Sequence, residues 1–169
     1  MPINASKLTP CLWFDSEAEE AADFYVSIFE NSKIKRITRY SKGGHDIHKR
    51  PAGSVMTVEF ELDGLTFTAL NGGPIFKFDE AISFQVSCDT QDEINYYWSR
   101  LTANGGSEGP CGWLKDRFGL SWQVVPSALI DMLADHDSEK TERVTNAFLQ
   151  MKKFNIAELR RAYEGAGAA

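Results

Sequence analysis

Two short strings, 74 residues apart, constrain this chain more than anything else in it. Asp15-Ser16-x-x-Glu19 recurs as Asp89-Thr90-x-x-Glu93. Each has the spacing of a capping box, in which a hydroxyl oxygen accepts a free backbone N–H and the glutamate reaches back to another. Each follows a strand-like run, 7–14 (KLTPCLWF) and 81–88 (AISFQVSC), and each opens a helical period. Ala18, Ala21, Ala22, Tyr25, Ile28 and Phe29 predict an amphipathic helix over 16–31. Ile94, Tyr97, Trp98 and Leu101 predict a second, with Gly105 past its end as a cap. After the first helix, 33–41 and 54–62 alternate, Asp63–Gly64 is a hairpin signal and 65–71 returns. After the second, 112–114 and 120–125 read as short strands around the turn Asp116-Arg117-Phe118-Gly119. The economical reading is an α+β chain of two β-α-β-β-β modules, about 7–71 and 81–126.

A helical tail follows over about 127–164. Ser127 can cap its first helix. Val144, Ala147, Phe148 and Met151 share one face of a second helix over 138–152. Asn155 and Glu158 open a third, with Ile156, Leu159 and Tyr163 turned inward. The closing GAGAA is expected to fray.

At 169 residues the chain is expected to form a single domain. A chain this size buries roughly 68–70% of its extended surface, so it needs no disulfide or metal staple. Eighteen basic against 24 acidic residues give a net charge of −6. That argues against nucleic acid, which calls for a basic face. No apolar run approaches the roughly 20 residues of a membrane span, and the start, MPINASKLTP, has no apolar signal-peptide core. Cysteines 11, 88 and 111 are odd in number and lack CxxC spacing, so free thiols in a cytoplasmic protein are expected.

LTPCLWFDSEAEEAADFYVSIFENSKI, CGWLKDRFGLSWQVVP and the tail MKKFNIAELRRAYEG together resemble the PhnB-like family, over about residues 7–164. CGWLKDRFGLSWQ carries the most specific part of the likeness. This family is a branch of the glyoxalase/bleomycin-resistance, or vicinal oxygen chelate, superfamily, and its members are often described as 3-demethylubiquinone-9 3-methyltransferase-like. The resemblance implies two βαβββ modules forming an open, cup-shaped mixed sheet, usually in a homodimer.

It also implies where a divalent metal would be held. Two ligands lie seven residues before the aspartate that opens each helix, which falls here on Leu8 and Ile82. A third comes from the strand 65–71, where Asn71 is the plausible donor, and the fourth place holds Gln123. A divalent ion wants several charged or imidazole donors, so no metal site and no cofactor are expected. Strand parity from these places puts Leu8, Leu12, Phe14, Ile82, Phe84, Ser121 and Gln123 on the cup floor, with Asn71 beside them as a polar handle. An apolar cup with few polar groups is the usual makeup of a small-molecule pocket.

Other groups read as structural. His45-Asp46-x-His48 lies in a polar loop, and His136 sits between aspartates. Cys111 lacks a histidine partner, Cys11 and Cys88 read as core, and Asp116 beside Arg117 reads as the cap of its own turn. Gly43–Gly44, Gly72–Gly73 and Gly105–Gly106 are not expected to open a helix, so a methyl-donor cradle is not visible. The expected function is therefore a metal-free small-molecule-binding protein with its ligand in the cup and no catalytic residue assigned. A glyoxalase-, dioxygenase- or methyltransferase-like enzyme using the same cup stays open, as does a scaffold with a filled cup.

Overall fold

The structure is a computed structural model and describes residues 7–165. The expected fraying of the end falls, beyond Gly165, outside the described residues, as do the first six residues of the chain. Internal packing divides the chain into two compact units, one ending at Lys77 and the other beginning at Phe78.

The first unit holds β1 (Cys11–Phe14), α1 (Ala18–Val26), β2 (Lys33–Arg39), the one-turn α2 (His45–His48), β3 (Val55–Leu62) and β4 (Leu65–Asn71). Its sheet runs β1-β4-β3-β2, with β1 parallel to β4 and the other pairs antiparallel. Period-two alternation decides which side is core. Leu12 and Val58 both pair with Ala69, and Phe60 pairs with Phe67, so these residues share one face with Phe14 and Leu62. All are buried, together with Ala18, Ala21, Ala22 and Tyr25 of α1. The Tyr25 ring stacks over Phe60 at 6.1 Å. Asp63 and Gly64 turn the β3–β4 hairpin with φ of 44° and 80°, the positive values that a two-residue turn of this kind requires.

The second unit repeats the plan with β5 (Ser83–Cys88), α3 (Gln91–Leu101), β6 (Ser107–Glu108), β7 (Trp113–Lys115) and β8 (Ser121–Pro126). The sheet order β5-β8-β7-β6 and the parallel β5–β8 pair match the first unit strand for strand. The duplication thus extends from element order to pairing sense. Ile94, Trp98 and Leu101 of α3 are buried with Val86, Cys88, Leu114, Trp122 and Val124 of the sheet. The tail adds α4 (Ser127–Leu133), α5 (Ser138–Phe148) and α6 (Ile156–Glu164). Among the described residues no helix is long and apolar enough to cross a membrane.

The two helix starts differ, and the register says why. Thr90 and Glu93 form both halves of the expected capping box. Ser16 and Glu19 do not. The Ala18 N–H donates instead to Asn71 Oδ1 at 2.8 Å, while the Ser16 N–H is taken by Glu17. Asn71 pairs with the last residue of β1, and the matching partner of the last residue of β5 is Pro126, which offers no side-chain acceptor. One module caps its helix from the sheet, the other from the helix's own first turn.

Other corrections are local. The first helix stops at Val26 rather than near residue 31, ending in a tightened turn with Ile28 N–H on the Tyr25 carbonyl. Strand β6 carries no alternation long enough to read from sequence. Ser127 does not cap α4; its hydroxyl donates to Asp89 at 2.6 Å. Cys11, read as core, is exposed, because its side of β1 is the one turned from α1. Gly43–Gly44 does open a helix, since Gly44 is the N-cap of α2, but one turn of helix offers little dipole.

Candidate functional site

Each sheet has a second face, opposite its helix, and there the two modules differ. In the first module this face carries Trp13, Glu59, Glu61 and a set of threonines. A bulge in β2 sets both Lys35 and Arg36 against Glu59. Lys35 Nζ lies 3.5 Å from Glu59 and 3.7 Å from Glu61, and Arg36 lies 3.9 Å from Glu59. Thr38 and Thr57 share a hydrogen bond of 2.6 Å. Trp13 donates to the Gly73 carbonyl at 2.8 Å and meets Phe76 edge-on at 5.0 Å. A Cβ on Gly72 would lie 2.1 Å from the Trp13 ring, so that position needs glycine. The charges and the large ring on this face are thus answered by the module's own groups.

In the second module the face opposite α3 carries Ser83, Gln85, Ser107, Trp113, Lys115, Ser121 and Gln123. Gln123 donates to Ser83 Oγ at 2.8 Å and accepts from Gln85 at 3.3 Å. Beside this amide ladder lies a pocket of about 620 Å³, lined by Glu80, Ser107, Trp113, Lys115 and Ser121 among others. Lys115 Nζ meets Glu80 Oε1 at 2.5 Å. Asp116 fixes the turn behind it. Its carboxylate accepts from Phe118 N–H at 2.9 Å, Leu120 N–H at 3.1 Å and Trp122 Nε1 at 2.8 Å. That is the turn-capping role expected of it, and it aims Lys115 and Ser121 from adjacent strands.

Of the eight residues expected to line a pocket, Ser121 and Gln123 lie on this face, as their parity required. Leu12, Phe14 and Phe84 do not; they fall on the faces that meet α1 and α3. The error lies in counting back from the helix. β1 begins only at Cys11 and β5 only at Ser83, so Leu8 and Ile82 precede their strands, 82% and 70% exposed, and pass no parity on. Asn71 touches a smaller cleft of about 350 Å³ with Arg50 and Glu19. Its amide is already engaged, by Ala18 N–H and, at 3.1 Å, the Val55 carbonyl. Arg50 there is held by the Asp15 carboxylate at 3.0 Å.

Asn71→Ala is accordingly expected to act on stability rather than on binding. It strands a buried helix N–H and a strand carbonyl, costing about 1–3 kcal/mol. A denaturation curve with an unchanged midpoint would remove Asn71 from this structural role.

The places that the family resemblance assigns to a metal do not fit one. Leu8 and Ile82 offer no donor, Asn71 faces α1, and Gln123 is bonded within the amide ladder. Among the described residues no three His, Cys, Asp or Glu side chains are grouped to hold an ion. His48 is tied locally: Nδ1 accepts from Arg50 N–H at 3.0 Å, so Nε2 donates to the Gly43 carbonyl at 3.2 Å. Burial, with Glu93 and Asp89 adding to it, pushes the Cys88 thiol up to about 12, which makes it inert at neutral pH. Trp113, Lys115 and Glu80 were missed as pocket residues. Trp113 and Lys115 share the two-residue period with Ser121 and Gln123 across the β7–β8 turn, which was signal enough; Glu80, outside any strand, left none.

The sequence matches the family model described as 3-demethylubiquinone-9 3-methyltransferase over residues 6–125. Among solved structures it is similar to the PhnB protein from Bacillus cereus, with 32% identity, 72% of this chain and 100% of that one covered, and a TM-score of 0.62. Protein PA1353 from Pseudomonas aeruginosa shares 18% identity over 72% of this chain and 98% of its own, with a TM-score of 0.56. The fosfomycin resistance protein FosX from Mesorhizobium loti shares 12% identity over 79% of this chain and 99% of its own, at a TM-score of 0.54, a likeness of fold. No curated protein matches the sequence significantly.

Proposed function

Because the chain belongs to the PhnB-like 3-demethylubiquinone-9 3-methyltransferase family and has the vicinal oxygen chelate fold, we propose that it binds a small organic molecule, without a metal ion, on the second module's sheet face opposite α3. The observation that carries this reading is the pocket of about 620 Å³ against Trp113, within the usual range for small-molecule sites. An indole wall supplies apolar contact, and the exposed Ser107 hydroxyl beside it can fix an orientation. The donors on this face are amides, hydroxyls and an ion-paired lysine, a set suited to organic groups rather than to a divalent cation.

Native mass spectrometry of the purified chain, with elemental analysis of the same sample, tests this. The protein is expected to carry or take up a small organic ligand. Trp113→Ala should weaken that binding about tenfold, the worth of a lost aromatic contact, while leaving the fold intact. A stoichiometric transition metal in the sample, or ligand binding indifferent to Trp113→Ala, would contradict the proposal.

A further inference from the structure

The Lys115–Glu80 pair is built asymmetrically. Lys115 is a residue of β7, its backbone fixed by pairing with Ser107 on one side and Ser121 on the other. Its side chain therefore leaves the sheet from a set place on the pocket wall. Glu80 lies in the turn before β5, and its side chain is 65% exposed. Glu108, a second acidic residue along the pocket, is not a rival, because its carboxylate accepts from Trp98 Nε1 at 2.8 Å on the α3 side. The pocket thus presents one cation, anchored in a strand, and the carboxylate on it is carried by a solvent-exposed turn. The hydrogen bond from Lys115, one from the glutamate's own backbone, and the lysine's charge hold the Glu80 carboxyl below its usual range.

On the reading of this pocket as a binding site, we propose that its ligand is an organic carboxylate with a flat apolar body, and that Glu80 occupies the anion seat on Lys115 until the ligand displaces it. An exposed ion pair is held only weakly, because water solvates both partners well once they separate. An incoming carboxylate recovers the same contact with Lys115 and adds its apolar body against Trp113, which Glu80 does not supply. The exposed Ser107 hydroxyl flanks the lysine across the β6–β7 pair and can donate to the same carboxylate. Glu80 also works as a filter, since a neutral molecule of the same shape gains nothing at Lys115.

Three probes of one shape test this on the full chain: phenylacetate, phenylacetamide and phenethylamine, titrated calorimetrically at millimolar concentration. Phenylacetate is expected to bind tightest and phenethylamine weakest. Glu80→Gln should tighten phenylacetate by about two- to fivefold, the change that an exposed ion pair commands, and leave phenylacetamide unchanged. Lys115→Met should erase the difference between the acid and the amide. Trp113→Ala should weaken both. Equal binding of acid and amide, with Lys115→Met silent, overturns the anion seat while the pocket stands. Preference for the amine overturns it with the sign reversed. No binding of any of the three overturns it together with the pocket itself. Glu80 and Lys115 are both exposed enough to be replaced without threat to folding.

Discussion

A chain cut after Pro126 is expected to be insoluble, or to melt far below the full chain. The tail buries Leu129, Met132, Val144, Ile156 and Leu159 from helices α4–α6, and Phe154 from the link between α5 and α6. Each is worth about 1.5–3 kcal/mol of burial, and together they exceed much of a domain's net stability of about 5–15 kcal/mol. The cut also strands polar groups that the second module commits to the tail. Cys111 and Gly112 donate their N–H groups to the Met151 and Lys152 carbonyls, both at 2.7 Å. The Gln91 amide at the start of α3 donates to the Phe154 carbonyl at 3.0 Å and accepts from Ile156 N–H at 2.9 Å. Lys153 reaches Asn95 at 2.7 Å. The cut removes six buried side chains and leaves two backbone N–H groups, those of Cys111 and Gly112, and the Gln91 side-chain amide without their partners. Circular dichroism and a melting curve decide the matter, and an unchanged melting temperature would show the tail to be dispensable.

Gly112→Val is expected to be the most damaging of the point substitutions considered. Gly112 has a φ of 79°, and a Cβ there would lie 2.4 Å from the Phe154 ring and 2.8 Å from the Val124 carbonyl. The residue also takes part in two backbone bonds, to Lys152 and from Val124, so the chain cannot swing aside. Overpacking plus a β-branched residue in the left-handed region costs about 3 kcal/mol or more. For a chain of this length that lowers the melting temperature by about 6–12 °C. Gly119→Ala is the control. Its φ of 86° is just as positive, but a Cβ there meets nothing within 4 Å. That change should cost only the backbone strain, about 1–2 kcal/mol. Equal losses from both would mean that the contact with Phe154 contributes nothing.

The parts of this fold that read easily from sequence are those whose cause is local. The Thr90–Glu93 box, the Asp63–Gly64 hairpin, the Asp116 turn and the 65–71 strand all rest on residues within a few positions of one another. The doubled order of elements follows from them. What failed to show depends on register between distant strands. Nothing near Ser16 announces that Asn71, on another strand, caps α1. Nothing near Leu12 says which side of β1 the helix covers; that follows from its pairing with Ala69. The pocket residues divide the same way. Ser121 and Gln123 share one sheet face, as a two-residue period implies, because they sit inside β8, whose parity is unbroken. Leu8 and Ile82 were carried over from a family spacing onto residues outside any strand. Phe154, the largest apolar anchor of the tail to escape notice, lies between helices, where no period marks it.

The claim that matters most is that ligand binds in the second module, on the face opposite α3. Amide chemical-shift mapping with phenylacetate reads this directly, since each shifted residue has a place in the fold. The account predicts that the largest shifts gather at Ser107, Trp113, Lys115 and Ser121, with Glu80 moving as its carboxylate leaves Lys115. Shifts gathered instead around Arg50 and Asn71 in the first module, or spread over the surface without focus, would contradict it.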